Sequence, residues 1–121
     1  PDLAALDHDS RWAAIHREAY GDLRSVRLPV RPAEALRQAE ALVEARGWPI
    51  AQVDLQAGTI EATATTLFFR FKDDVVVRVR ADPNRPDGSV VDMRSISRVG
   101  GSDVGVNAER IRAFLADLQA A

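Results

Sequence analysis

A chain of 121 residues, 46% hydrophobic and 28% charged, has room for one core and not for two. Its net charge of −2 supplies no long-range field to recruit nucleic acid or anionic lipid. Cysteine is absent, which removes disulfides, thiolate catalysis and cysteine-based metal sites, and no run approaches the roughly 18 apolar residues a membrane span needs.

Residues 1–21 read as a lead-in. From Ser10, a candidate cap, Trp12, Ile15, His16, Ala19 and Tyr20 fall at helical spacing and predict a short helix near 10–19, ended by Gly21. Residues 22–121 then form a single domain. Ser25 to Val30 alternates as a strand, with Pro29 marking an edge. Pro32 suits a first helical position and Glu34 lies near the positive end of the dipole. Ala35, Leu36, Ala39, Leu42 and Val43 form one apolar stripe and Gly47 stops it, so the helix covers about 32–46.

Four strands follow: Trp48 to Gln56, Thr59 to Phe71, Asp74 to Ala81 and Ser89 to Val99. Ala57-Gly58 reads as a tight hairpin turn, Lys72-Asp73 as a second turn, and Asp82 to Gly88 as a loop with two prolines and an Asp-Gly. Gly100, Gly101, Ser102 and Asp103 lead into a last helix striped by Ile111, Phe114, Leu115 and Leu118. Short connections force the four strands into an antiparallel meander. The expectation is a two-layer α+β fold, β-α-β4-α, with helices on one face of the sheet.

Alternation puts Val75, Val77, Val79, Val91 and Met93 on the core side, with Ile60, Ala62 and Ala64. The face away from the helices would carry Glu61, Asp92, Arg78, Arg80, Arg94 and Arg98, a local excess of two positive charges. Such a face suits an anionic, partly apolar ligand, or is a set of solvated cross-strand ion pairs. Fifteen of the 16 basic residues are arginine; the planar fork favours carboxylates and phosphates, although GC-rich coding gives the same bias.

The turn Gly100-Gly101-Ser102-Asp103-Val104-Gly105-Val106-Asn107 fits no phosphate-loop spacing. Ser102 or Asp103 is expected to cap the helix, or Asn107 a later start, and Arg98 to reach Asp103. Asp73 and Asp74 are adjacent acids that a strand would send to opposite faces, so a solvated turn or an arginine partner is expected of them rather than a shared catalytic task. His8 and His16 complete no metal site, and Ser95, Ser97 and Ser102 have no histidine base.

Two strings, FKDDVVVRVR at Phe71–Arg80 and RSISRVGGSDVGVNAER at Arg94–Arg110, resemble a family of unknown function numbered 1499. The resemblance runs from about Tyr20 to Leu118. Positions that match it are Asp73, Asp74, Arg78, Arg94, Ser95, Ser97, Arg98, Gly100, Ser102, Asp103, Gly105, Asn107 and Arg110. The resemblance implies no activity and no catalytic residue. It does imply a bacterial protein with membrane-spanning segments ahead of this domain, which agrees with a chain that starts at Pro1 and not Met. The element order also looks like a TATA-binding-protein-like repeat, but fold likeness transfers no function, and the acidic net charge with a single lysine disfavours DNA.

The resulting expectation is a non-enzymatic binding module without cofactor, metal or nucleic acid, tethered to a membrane in the full-length protein. Its anionic ligand or protein partner would meet Arg78, Arg94, Arg98, Ser97, Asp103 and Asn107. One alternative is a small-molecule or lipid pocket between sheet and helices. A weaker one is a hydrolase-like enzyme using Asp73, Asp74 or Asp103.

Overall fold

A computed structural model describes residues 24–65, 72–97 and 104–121 of the chain. The expected helix at 10–19, both histidines, Leu67, Phe69, Arg98 and Gly100 to Asp103 lie outside the described residues. In chain order the elements are strand β1 (Arg24–Leu28), helix α1 (Pro32–Ala45), strands β2 (Ile50–Asp54), β3 (Thr59–Thr65), β4 (Lys72–Ala81) and β5 (Ser89–Ser97), and helix α2 (Val104–Ala120). They make an α+β fold with one five-stranded sheet of order β1-β5-β4-β3-β2, antiparallel at every pairing.

α1 starts with Pro32 in its first turn and Glu34 just after it, following Arg31 in extended conformation. Its end is set by geometry: Gly47 adopts φ 72°, its N–H donates to the Glu44 carbonyl at 2.9 Å, and the Trp48 N–H reaches the Val43 carbonyl at 3.3 Å. This is the paired closure that glycine permits at a helix C-terminus. The Arg46 guanidinium then lies 5.2 Å from the Phe114 ring and 5.7 Å from Trp48, and Nη2 donates to Asp117 at 2.7 Å. The end of one helix is thereby tied to the other.

β1 and β2 sit at opposite edges, so α1 must carry the chain across the sheet. Its 14 residues extend roughly 21 Å, close to the roughly 19 Å across five strands. The core lies between sheet and helices. Leu28, Ile60, Ala62, Val75, Val77, Val91 and Met93 meet Ala35, Leu36, Ala39 and Val43 of α1 and Ile111, Phe114, Leu115 and Leu118 of α2. Valine dominates β4 and β5 because its branched side chain packs well on a pleated surface.

Two expectations change. Lys72 and Asp73 are not a turn: they stand in β4 opposite Thr65 and Ala64, because β4 begins three residues before the valine run. Asn107 does not cap a later helix start, since α2 begins at Val104 and the Asn107 side chain is directed to the sheet, as described next.

Candidate functional site

Two polar constellations stand out, one on each face of the sheet. The first lies on the helix-covered face, where β4 begins and β5 ends. The core stripe of α2, read backwards from Ile111 by one turn, lands on Asn107, and Arg110 flanks it at i+3. Across from them, Asp73 pairs with Ser97 in register, and Ser95 occupies the same face of β5 two residues earlier. Asp73, Ser95 and Asn107 are 1%, 2% and 3% exposed.

These five side chains bond mainly to one another, although Asp73 Oδ1 is buried without a hydrogen-bond partner among the described residues. Ser95 Oγ donates to Asn107 Oδ1 at 2.7 Å, and Asn107 Nδ2 donates to Ser97 Oγ at 3.2 Å. Arg110 Nη1 donates to Asp73 Oδ2 at 2.7 Å, Asn107 Oδ1 at 2.9 Å and Ser95 Oγ at 3.0 Å. The Asp73–Arg110 ion pair is enclosed, with side chains 1% and 11% exposed. Polar groups so placed would each be costly alone; together they latch the first turns of α2 to the sheet.

The second constellation lies on the face away from the helices. Register puts Ser25, Asp92 and Arg78 in one row across β1, β5 and β4, and Arg27, Val90 and Arg80 in the next. Glu61, Val76 and Arg94 form a third row. Only part of this face is the open surface expected: Arg94 is 0% exposed, Asp92 5%, Val76 6% and Glu61 8%. Alternation assigns a side chain to a face and says nothing of how far that face is enclosed.

The expected excess of two positive charges falls to one among the described residues of the three strands. Lys72, Arg78, Arg80 and Arg94 stand against Glu61, Asp74 and Asp92. Asp74 had been placed at the strand start and not on this face, and Arg98 lies outside the described residues. Arg27 adds a guanidinium from β1 and meets Asp82 of the following loop at 3.3 Å.

The row Arg27–Val90–Arg80 borders a hollow of about 650 Å³ whose lining also includes Ser25, Val26, Pro83 and Gln119. Arg80 donates from Nε to Asp92 Oδ2 at 2.9 Å and from Nη2 to Asp92 Oδ1 at 3.5 Å. Arg27 donates only from Nη1, to Asp82 at 3.3 and 3.4 Å. So Nε and Nη2 of Arg27 and Nη1 of Arg80 make no hydrogen bond among the described residues. The Asp92 hydrogen bond raises the Arg80 pKa above the usual arginine value, against burial, with the charges of Asp92 and Asp82 adding to it.

The sheet therefore separates what the sequence had grouped. Arg78 and Arg94 lie on one face, Ser97 and Asn107 on the other, and Arg98 and Asp103 fall outside the described residues. Asp73 and Asp74 point to opposite faces, and Asp73 has the arginine partner expected of it. Ser95 and Arg110 were visible as family-matching positions and not as site residues. The signal that finds them is polar residues on the core-facing positions of two strand ends, opposite an i, i+3 polar pair on a helix. Arg27 gave no signal in sequence, because its partners are strands more than 50 residues away.

Among the described residues, no group of three or more His, Asp or Glu is placed to hold a metal ion, and no helix is long and apolar enough to cross a membrane. No match is found among curated proteins. The profile of the family described as "Protein of unknown function (DUF1499)" matches residues 6–118, nearly the whole chain and all five residues of the latch. The chain belongs to the DUF1499 family.

Proposed function

We propose that this domain is a non-enzymatic binding module for an anionic ligand or an acidic protein partner, and that recognition takes place on the β1–β5–β4 side of the face away from the helices. One observation carries the reading. The side chains of Arg27 and Arg80 are 60% and 49% exposed, while those of their partners Asp82 and Asp92 are 2% and 7% exposed. Each pair is nearly neutral in sum, but its negative end is withdrawn and its positive end faces outward. Arg78, partly exposed, stands beside Asp92 in the neighbouring row and belongs to this surface. Arg94 is too enclosed to touch a ligand, and Ser97 and Asn107 act by holding α2 in place.

The TATA-binding-protein-like arrangement is part of the same proposal, supported by the order of elements, with both helices packed on one side of the sheet. Tethering to a membrane through a segment outside this chain rests on the family resemblance.

The test is calorimetric titration of the domain with a short poly-glutamate peptide, inorganic phosphate and vesicles containing an anionic lipid, at two salt concentrations. At least one probe is expected to bind, more weakly at high salt as exposed charges are screened. Absence of binding by all three removes the proposal.

A further inference from the structure

The binding reading leaves the ligand and its seat undefined. From the cross-strand row Arg27–Val90–Arg80 and the hollow beside it, we infer that this protein binds a phosphate monoester carried on a small apolar body, its phosphate seated over Val90 between the two arginines. The inference rests on the proposed function and narrows it to one site and one chemistry.

The seat follows from register. Arg27 and Arg80 both pair with Val90, from either side, so their Cα atoms stand two strand spacings apart, roughly 9–10 Å. Both side chains line the hollow, Arg27 bonded to Asp82 beyond the end of β4 and Arg80 to Asp92 on β5. A carboxylate presents its two oxygens in one plane to one fork. A phosphate monoester presents three terminal oxygens spread around phosphorus, so two forks can be served at once, and its charge of nearly −2 matches two cations.

Each guanidinium is already held and keeps donors without a partner among the described residues. Arg80 is held by two bonds to Asp92 and keeps Nη1 for a ligand; Arg27 is held by Nη1 and keeps Nε and Nη2. A guanidinium anchored on one edge loses less freedom when the other edge binds. Asp82 and Asp92 sit behind the arginines and temper the attraction without blocking it. Val90 and Pro83 give the hollow an apolar wall, and its volume of about 650 Å³ far exceeds a bare phosphate, within the usual range for small-molecule sites.

The experiment uses the whole chain and follows the Val90 amide by NMR, with calorimetry in parallel. Probes are phenyl phosphate, inorganic phosphate, phenol, and phosphatidylcholine vesicles with and without phosphatidic acid. Phenyl phosphate is expected to bind saturably and to shift Val90, inorganic phosphate to bind more weakly, and phenol not to bind. Arg27→Gln, at an exposed position with a long bond to Asp82, is expected to keep the wild-type melting temperature and lose about tenfold in affinity; Arg27→Lys, which keeps charge without the fork, is expected to fall between. Vesicle binding that requires phosphatidic acid and weakens in parallel in Arg27→Gln assigns the phosphate to a lipid headgroup; binding of phenyl phosphate without the vesicles assigns it to a soluble ester. Unchanged phenyl phosphate affinity in Arg27→Gln overturns the site while leaving an anion-binding module elsewhere on the face. Failure of the wild type to bind any phosphate probe overturns the ligand class, and the poly-glutamate titration then decides whether the broader reading survives.

Discussion

The two polar constellations use the same residue types in opposite ways. Behind α2, one arginine, one aspartate, an asparagine and two serines make most of their hydrogen bonds with one another, largely enclosed. Around the hollow, two arginines are each held on one edge by a carboxylate and keep the other edge clear. Enclosure makes the difference. A buried ion pair is out of reach of a ligand and loses much if either member is removed; a half-exposed pair contributes little to stability and keeps donors for binding.

The contrast can be broken by substitution. Arg110→Ala strands the Asp73 carboxylate in the core, and a loss of about 3–5 kcal/mol in unfolding free energy is expected from urea titration; a loss below about 1 kcal/mol would mean that the latch is not structural. Asn107→Ala removes the acceptor shared by Ser95 and Arg110 and the donor to Ser97, for about 1–3 kcal/mol. Asp92→Asn belongs to the second constellation yet is itself enclosed, so about 1–2 kcal/mol is expected, and weaker phosphate binding as Arg80 loses its anchor. Arg27→Gln is expected to change stability by less than about 0.5 kcal/mol while affecting binding as described above. An exposed pair gives the lower reference. Arg37, hydrogen-bonded to Glu34, holds the Glu34 pKa below the ordinary glutamate value. Because the folded pKa is the lower one, the pair's small contribution is present above the unfolded pKa and is lost as pH falls through the folded pKa. Glu34→Gln should remove that part of the acid dependence, measured by thermal melts between neutral and acidic pH, and leave the rest unchanged.

Much of the fold was legible because its signals are periodic. The α1 stripe ends at a glycine that the helix closure requires, and the valines of β4 select the core side of the sheet without ambiguity. Gly58 in the hairpin turn was legible as well: its φ of 71° and a position where a Cβ would lie 2.4 Å from the Val79 carbonyl oxygen leave no room for a side chain. The site was less legible. Alternation placed Arg78, Arg80 and Arg94 on one face correctly, but carried no information on enclosure, and Arg94, expected as a ligand contact, is fully buried. Treating Ser97 and Asn107 as companions of Arg94 ignored the same alternation, which sends residues 94 and 97 to opposite sides. The latch needed strand register, Asp73 against Ser97, and register is fixed by pairing between segments distant in sequence.

One topological fact bears on when the hollow exists at all. Ser25 and Asp92, joined across the β1–β5 ladder, are 67 residues apart in sequence, whereas β3, β4 and β5 pair with immediate neighbours in the chain. Closing so long a loop is entropically costly, and an edge strand held by one ladder is the part that peels first in local opening. Arg27 travels with that strand. A ligand gripped from both sides of Val90 would therefore act as a clasp on the outermost strand, slowing amide exchange there before anywhere else in the sheet. Bound and empty protein would differ most at the strand whose pairing closes the longest loop.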